Sequence, residues 1–229
     1  QSVAKRIKTE ALPAKKLEPF KQVILYDSTY VSLSPIFKDI FKGSTKGTSS
    51  VKIQLGYDYK SGQFSNLVLT SGTKPDVKDE GFLLQAQVDN LICADLGYFK
   101  QEHLQQIDED GGYFILPLQS QVALFDDVNG EKIDLASLLK KQTADYFDSH
   151  FMLGNKVRHR LRVIAFRLPE QVAASKRRNL KKRAKEAGYT ASQRSLTLCA
   201  WHILVTNLAS DWTPDDIRLL FGIRWQIEL

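Results

Sequence analysis

Apolar residues in the first half of the chain fall into short runs bounded by Gly, Ser, Thr and Lys, the pattern expected of strands. Three such runs are "QVILYD" at 22–27, "SVKIQLGYDY" at 50–59 and "FSNLVLTSG" at 64–72. A loop, "KGSTKGTSS", separates the first two, and "KSGQ" joins the last two as a tight hairpin with Gly62 available for a positive φ. The stretch "DVKDEGFLLQAQVDN" predicts a short helix, with Phe82, Leu83, Ala86 and Leu91 as its apolar positions. "LICAD" reads as a fourth strand, "KQEHLQQIDEDGG" as a polar helix ended by glycines, and "YFILPLQ" as a fifth strand. The first three strands can form an antiparallel meander, and the helical crossover lets the fourth run parallel to the first.

After residue 119 the pattern predicts a β-rich stretch. "VALFDDVNGEKIDL" has an Asn129-Gly130 turn between two strand-like halves. In "KVRHRLRVIAFRL", Val157, His159, Leu161 and Val163 share one face, and Arg158, Arg160 and Arg162 share the other. Taken alone, that arginine row reads equally well as a solvated strand face. "EQVAASKRRNLKKRAKEAGY" is helical, with Ala173, Arg177, Leu180, Ala184 and Ala187 near one stripe and Gly188 as its stop. "LTLCAWHILVTNL" reads as one long apolar strand. In "DWTPDDIRLLFGIRWQIEL", Thr213 is the expected N-cap, Pro214 the first helical residue and Asp216 the partner of a capping box. Ile217, Leu220 and Phe221 mark the buried face of this helix, and the spacing of Arg224 and Glu228 puts both on the side of Phe221.

Composition narrows the class. Of 229 residues, 43% are hydrophobic and 25% charged, as in ordinary globular proteins. No apolar run approaches the ~20 residues of a membrane-spanning helix, and the chain opens on no signal-peptide pattern. Cys93 and Cys199 lie far apart in apolar runs and read as buried free thiols, which suits a reducing cytosol. The net charge of +6 and pI of about 9.2 raise nucleic acid as a partner. A first residue of Gln and a last residue inside a helical pattern suggest a fragment, with 1–20 a basic lead-in around Lys5, Arg6, Lys8, Lys15 and Lys16.

Two aspartates set the chemistry. "VILYD" and "LICAD" each deliver a carboxylate, Asp27 and Asp95, at the end of an apolar run, where an ionised group is costly unless paired or coordinated. If the two strands are parallel neighbours, both carboxylates can share one hard cation such as magnesium. Glu228, on the last helix, would be a third acid, and three acids around two cations suit in-line attack on phosphorus. The competing readings are a strand-end turn at Asp27, a turn cap at Asp95 and a surface pair of Arg224 with Glu228. His103, His150, His159 and His202 show no zinc spacing, no G-x-S-x-G is present, and Trp201, Trp212 and Trp225 receive no role.

The stretches "YDSTYVSL", "ICADLGYF" and "FGIRWQIEL" resemble the three catalytic blocks of bacterial DDE transposases of the insertion-sequence-four family. The resemblance covers about residues 20–229, and its third block is the most specific part. In that block the family carries Tyr, Arg, Glu and Lys, with two, three and six residues between them; this chain has Phe221, Arg224 and Glu228, and the lysine would fall beyond Leu229. The resemblance implies an α/β fold, a ribonuclease-H-like mixed sheet with flanking helices (21–119 and 208–229), interrupted by a β-rich insertion (120–207), with 1–20 a basic lead-in or a remnant of an upstream DNA-binding region. It implies Asp27, Asp95 and Glu228 as catalytic metal ligands, with Mg2+ as cofactor and Mn2+ able to substitute. It further implies cleavage at transposon ends and strand transfer into target DNA. Its expected partner is double-stranded DNA, with a homodimer in the active complex, no membrane, and action in the bacterial cytoplasm. Phe221 and Arg224 would sit near DNA. Beside such a site, Arg158, Arg160 and Arg162 with Lys176, Arg177, Arg178, Lys181, Lys182 and Arg183 become candidates for DNA-backbone contact. Two alternatives stay open: a catalytically silent DNA-binding remnant and a stand-alone ribonuclease-H-type nuclease.

Overall fold

The computed structural model describes residues 14–227; Glu228 and the lead-in before Ala14 lie outside the described residues. The chain forms two compact units, one of residues up to 116 and from 210 onward, the other of 117–209.

The first unit opens with a single helical turn, α1 (Ala14–Leu17), and three strands, β1 (Gln22–Leu33), β2 (Ser49–Asp58) and β3 (Gln63–Ser71). These form the antiparallel meander, and Gly62 turns the hairpin at φ +72°. The expected helix around residue 80 is a 3-10 turn (Asp76–Lys78) followed by the short α2 (Glu80–Leu84). Then come β4 (Asn90–Ala94), α3 (Gln101–Glu109) and β5 (Tyr113–Pro117). Within this unit the strand order is β3-β2-β1-β4-β5, and β4 and β5 run parallel to β1. Val23–Tyr26 and Leu91–Ala94 are wholly buried because both strands lie inside the sheet and are covered on both faces.

β1 continues six residues past Asp27, to Leu33. The expectation that Asp27 ends its strand is therefore corrected. Pairing with β2 persists to Leu33↔Ser49, whereas the ladder with β4 stops at Tyr26↔Ala94. Asp27 thus sits one residue past the shared ladder while lying in mid-strand.

The second unit holds β6 (Leu124–Phe125), β7 (Lys132–Ile133), α4 (Leu135–Lys141), β8 (Tyr146–Leu153), β9 (His159–Arg167), α5 (Glu170–Glu186), α6 (Gln193–Leu198) and β10 (Trp201–Thr206). Its strands are antiparallel in the order β10-β9-β8-β6-β7. The stretch expected as one long strand, 196–208, is a helix end followed by a strand. Ser192 caps α6 by accepting from Ser195 N at 3.2 Å, and the chain turns before Trp201. α4 and β8 were not anticipated. Asp134 caps α4, which buries Leu135, Ala136 and Leu139 on one stripe. In β8 the polar residues Asp148, Ser149 and His150 break up the apolar alternation that would have marked a strand.

The chain then returns to the first unit as α7 (Pro214–Gly222). Its capping box is formed as expected: Asp216 N donates to Thr213 Oγ1 at 3.2 Å, and Thr213 N donates to Asp216 Oδ2 at 3.0 Å. Lys16 adds an ion pair to Asp216 at 2.8 Å, and Trp212 stacks on Phe20 with ring centres 5.1 Å apart. Ile217, Leu220 and Phe221 face inward.

Candidate active site and basic surface

Asp27 and Asp95 each follow the last pair of the β1–β4 ladder, so one parallel register step brings both to the same edge of the first unit's sheet. They line one cleft of about 320 Å³ with Ser28, Thr29, Arg224 and Ile227. Both aspartates hold backbone amides. Ser28 N donates to Asp27 Oδ1 at 2.8 Å, and Gly97 N donates to Asp95 Oδ1 at 2.7 Å, where Asp95 caps the 3-10 turn Leu96–Tyr98. The other Asp27 oxygen accepts from Arg224 Nη1 at 2.9 Å.

Arg224 is only 6% exposed, and its guanidinium lies 5.5 Å from the Phe221 ring centre and 4.9 Å from that of Trp225. Flat aromatic faces on a buried cation fix its orientation and offset part of its desolvation. Phe221 is itself buried, and its ring forms a wall beside Arg224. Beyond Gly222 the chain tightens into a 3-10 turn, Ile223–Ile227. Glu228 itself lies outside the described residues.

Burial pushes the Asp95 carboxyl above its ordinary value; the Gly97 amide pulls it down, Asp27 pushes it up and Arg224 pulls it down. Two carboxylates facing one cleft, one of them resisting ionisation, form a site that gains from a bound cation. Their hard oxygen donors fit magnesium, which takes one or two carboxylates and keeps several waters. Among the described residues, no group of three His, Cys, Asp or Glu side chains is arranged to hold a metal ion.

The basic candidates divide. Arg158 lies over the Phe125 ring at 4.0 Å, and Arg160 pairs with Asp127 at 2.9 Å while staying exposed. Arg162 is 2% exposed, donates to both oxygens of Asp148 at 2.9 and 2.6 Å, and donates to the Ala209 carbonyl at 2.8 Å. Its expected place in a solvent-facing arginine row is corrected, because β9 is buried without a break from Leu161 to Phe166. On α5, Lys176, Arg178, Lys181, Lys182 and Arg183 are exposed, and half-buried Arg177 pairs with Glu170 at 2.7 Å. Cys93 is a buried free thiol, pushed up to about 12 by burial; Cys199 is free and half-buried.

Two residues beside the site escaped the sequence reading, Lys52 and Asp76. In "SVKIQLGYDY" the polar members of the alternation, Lys52 and Gln54, look like the solvent face of a strand. Both are buried, at 1% and 0% exposure. No pattern in the sequence says that the face is covered.

Residues 18–229 match the family described as "Transposase DDE domain". The chain is similar to the transposase for insertion sequence element IS1151 of Clostridium perfringens, at 29% identity over 92% of this chain and 49% of that protein. It is also similar to the transposase for insertion sequence element IS231E of Bacillus thuringiensis subsp. finitimus, at 28% identity over 96% of this chain and 51% of that protein. The chain therefore spans about half the length of the curated relatives it matches. Among solved structures, the piggyBac transposase synaptic complex with hairpin DNA aligns with 89% of this chain and 37% of that one, at 9% identity and a TM-score of 0.44, too low to decide the fold.

Proposed function

The chain belongs to the transposase DDE domain family, and from that premise we propose that it carries the phosphoryl-transfer centre of an insertion-sequence transposase. Asp27 and Asp95 are the cation ligands, and Glu228 is the third acid. The observation that carries this reading is the arrival of both aspartates in one cleft from adjacent parallel strands. The order β3-β2-β1-β4-β5, with an antiparallel meander and two parallel additions, supports a ribonuclease-H-like core. On the same reading, 120–207 is the β-rich insertion of that core.

A bound Mg2+, with Mn2+ as substitute, supplies the positive charge that activates a water or hydroxyl and stabilises the phosphoryl group in transfer. The chain's own residues do the rest. Asp27 and Asp95 present oxygens held in place by the amides of Ser28 and Gly97. Arg224, steadied by two aromatic rings, neutralises Asp27 and is within reach of a DNA phosphate entering the cleft. The exposed cations of α5 bind duplex backbone without reading bases, and the resulting affinity falls steeply with salt. The partners are double-stranded transposon ends and target DNA, held by a homodimer in the bacterial cytoplasm. No helix among the described residues is long and apolar enough to cross a membrane.

The test is Mn2+ titration calorimetry on the chain and on Asp27→Ala and Asp95→Ala, with nicking of DNA carrying a transposon end. Binding and nicking lost in both variants support the reading. Salt-sensitive DNA binding that ignores both substitutions, without metal binding, would leave a silent DNA-binding domain. Cleavage with no strand transfer and no preference for an end would leave a nuclease.

A further inference from the structure

Behind the cleft lies a partly buried polar cluster with no part in the chemistry described so far. β1 and β2 pair so that Ser28 faces Gln54 and Tyr30 faces Lys52, while Asp27 faces Leu55 and Thr29 faces Ile53. Successive side chains alternate between faces, so Ser28, Lys52 and Gln54 lie on the reverse of the sheet from Asp27. There, three donors converge on one oxygen of Asp76: Lys52 Nζ at 2.9 Å, Ser28 Oγ at 2.9 Å and Gln54 Nε2 at 3.2 Å. Lys52 also donates to the Lys74 carbonyl at 2.7 Å and sits 4.5 Å from the Tyr30 ring centre. Burial favours its neutral amine, but Asp76 and Tyr30 outweigh burial and raise its pKa, so it remains a cation.

The second Asp76 oxygen faces the other half of the site. A Cβ added to Gly97 would fall 2.7 Å from Asp76 Oδ2 and 3.0 Å from Asp95 Oδ1, so Asp76 lies directly against the loop that carries Asp95. Tyr98, in the same loop, donates to Gln54 Oε1, which closes the cluster. Asp76 is thereby tied through Ser28 to the residue after Asp27 and packed against the turn that Asp95 caps. A third carboxylate this near would repel the pair were it not neutralised, and Lys52 supplies the neutralising charge.

We infer that the pair of buried Lys52 with half-buried Asp76 is a positioning device for the two-carboxylate site, setting the spacing of Asp27 and Asp95 from the reverse face of the sheet. The inference rests on the cation-binding reading above. Neither residue touches substrate or cation; both act through Ser28 and the Asp95–Gly97 turn.

The test separates positioning from mere structural support. Removing one partner strands a charge, so Lys52→Met and Asp76→Leu singly should lower Tm by on the order of 10 °C. The double variant Lys52→Met/Asp76→Leu removes both charges and should recover most of that loss, as apolar replacement of buried pairs often does. Positioning predicts that this stable double variant binds Mn2+ at least about tenfold more weakly than the parent, the range seen when groups behind a metal ligand are removed. Lys52→Met/Asp76→Asn keeps an oxygen for Ser28 and Gln54 and should bind within about threefold of the parent. A Lys52→Met/Asp76→Leu variant with parental Tm and parental Mn2+ affinity would overturn the inference. If that variant fails to fold, Ser28→Ala carries the test. It cuts the tether to β1 alone and should weaken Mn2+ about threefold or more at unchanged Tm; unchanged affinity would again overturn the inference. A parent chain that binds no Mn2+, or binds it equally in Asp27→Ala, would instead bring down the reading on which the inference stands.

Discussion

In the cleft at the end of the β1–β4 ladder, charged groups have fixed partners: Asp27 holds Ser28 N and Arg224, and Asp95 holds Gly97 N. Along α5 the cations other than Arg177 instead stand in solvent, and the i,i+4 pair Lys182–Glu186 is loose at 3.9 Å with both side chains well exposed. The first arrangement fixes geometry and perturbs a pKa; the second supplies net field and little else. Arg160 and Arg162 show the same contrast two residues apart on one strand. Arg160 is exposed beside Asp127, and Arg162 is enclosed against Asp148. Burial, more than local charge density, decides whether a charge organises structure or merely attracts a partner.

The sharpest way to break this comparison lies in the cleft. Asp27→Ala and Asp95→Ala are each expected to lower metal-dependent DNA nicking by about a thousandfold or more. Retention of activity within about tenfold of the parent would deny the cleft its role. Next in size, Arg162→Ala should destabilise the protein by about 2–4 kcal/mol in urea unfolding, since it removes a buried side chain and leaves Asp148 and the Ala209 carbonyl without their donor. Arg160→Ala, whose pair is exposed, should cost under about 1 kcal/mol. Equal effects at the two positions would erase the contrast.

Asp216→Ala should cost roughly 1 kcal/mol at neutral pH through the lost cap. Burial pushes the Asp216 carboxyl up, but the bonds from Lys16 and Thr213 outweigh it and hold the folded value below the ordinary one. Its stabilisation is therefore full above the unfolded value near ~4 and fades as pH falls through the folded value. Thermal melts of parent and variant should accordingly converge in acid. Smallest in stability is Lys182→Ala/Lys185→Ala, which should shift unfolding by no more than ~0.5 kcal/mol. The same double variant should flatten the log–log salt dependence of DNA binding by about 2. An unchanged slope would remove α5 from the DNA-binding surface.

Strands β1–β5 and the cap of α7 were legible because their signals are local: apolar runs, a Gly turn, and Thr213-Pro214 with Asp216. Helix α6 was misread as strand because "LTLC" is apolar with β-branched Thr, and a single Ser192 cap redirected it. The arginine row was legible as an alternation but not as an environment. Position parity places Arg162 on the same face as Arg160, and only the packing around β9 encloses one and leaves the other in water.

By itself the sequence determined that two aspartates close two apolar runs, that a capped helix follows the β-rich stretch, and that a basic helix lies between. Each of these is written in neighbours a few residues apart, where backbone propensity and side-chain period act. Only the tertiary structure decided that Asp27 stands in mid-strand, that Arg224 folds back onto it from 197 positions away, and that Lys52 and Asp76 meet behind the sheet. Those outcomes depend on which faces are covered and which distant groups must satisfy one another once water is excluded, and that is settled when the sheet and its helices pack.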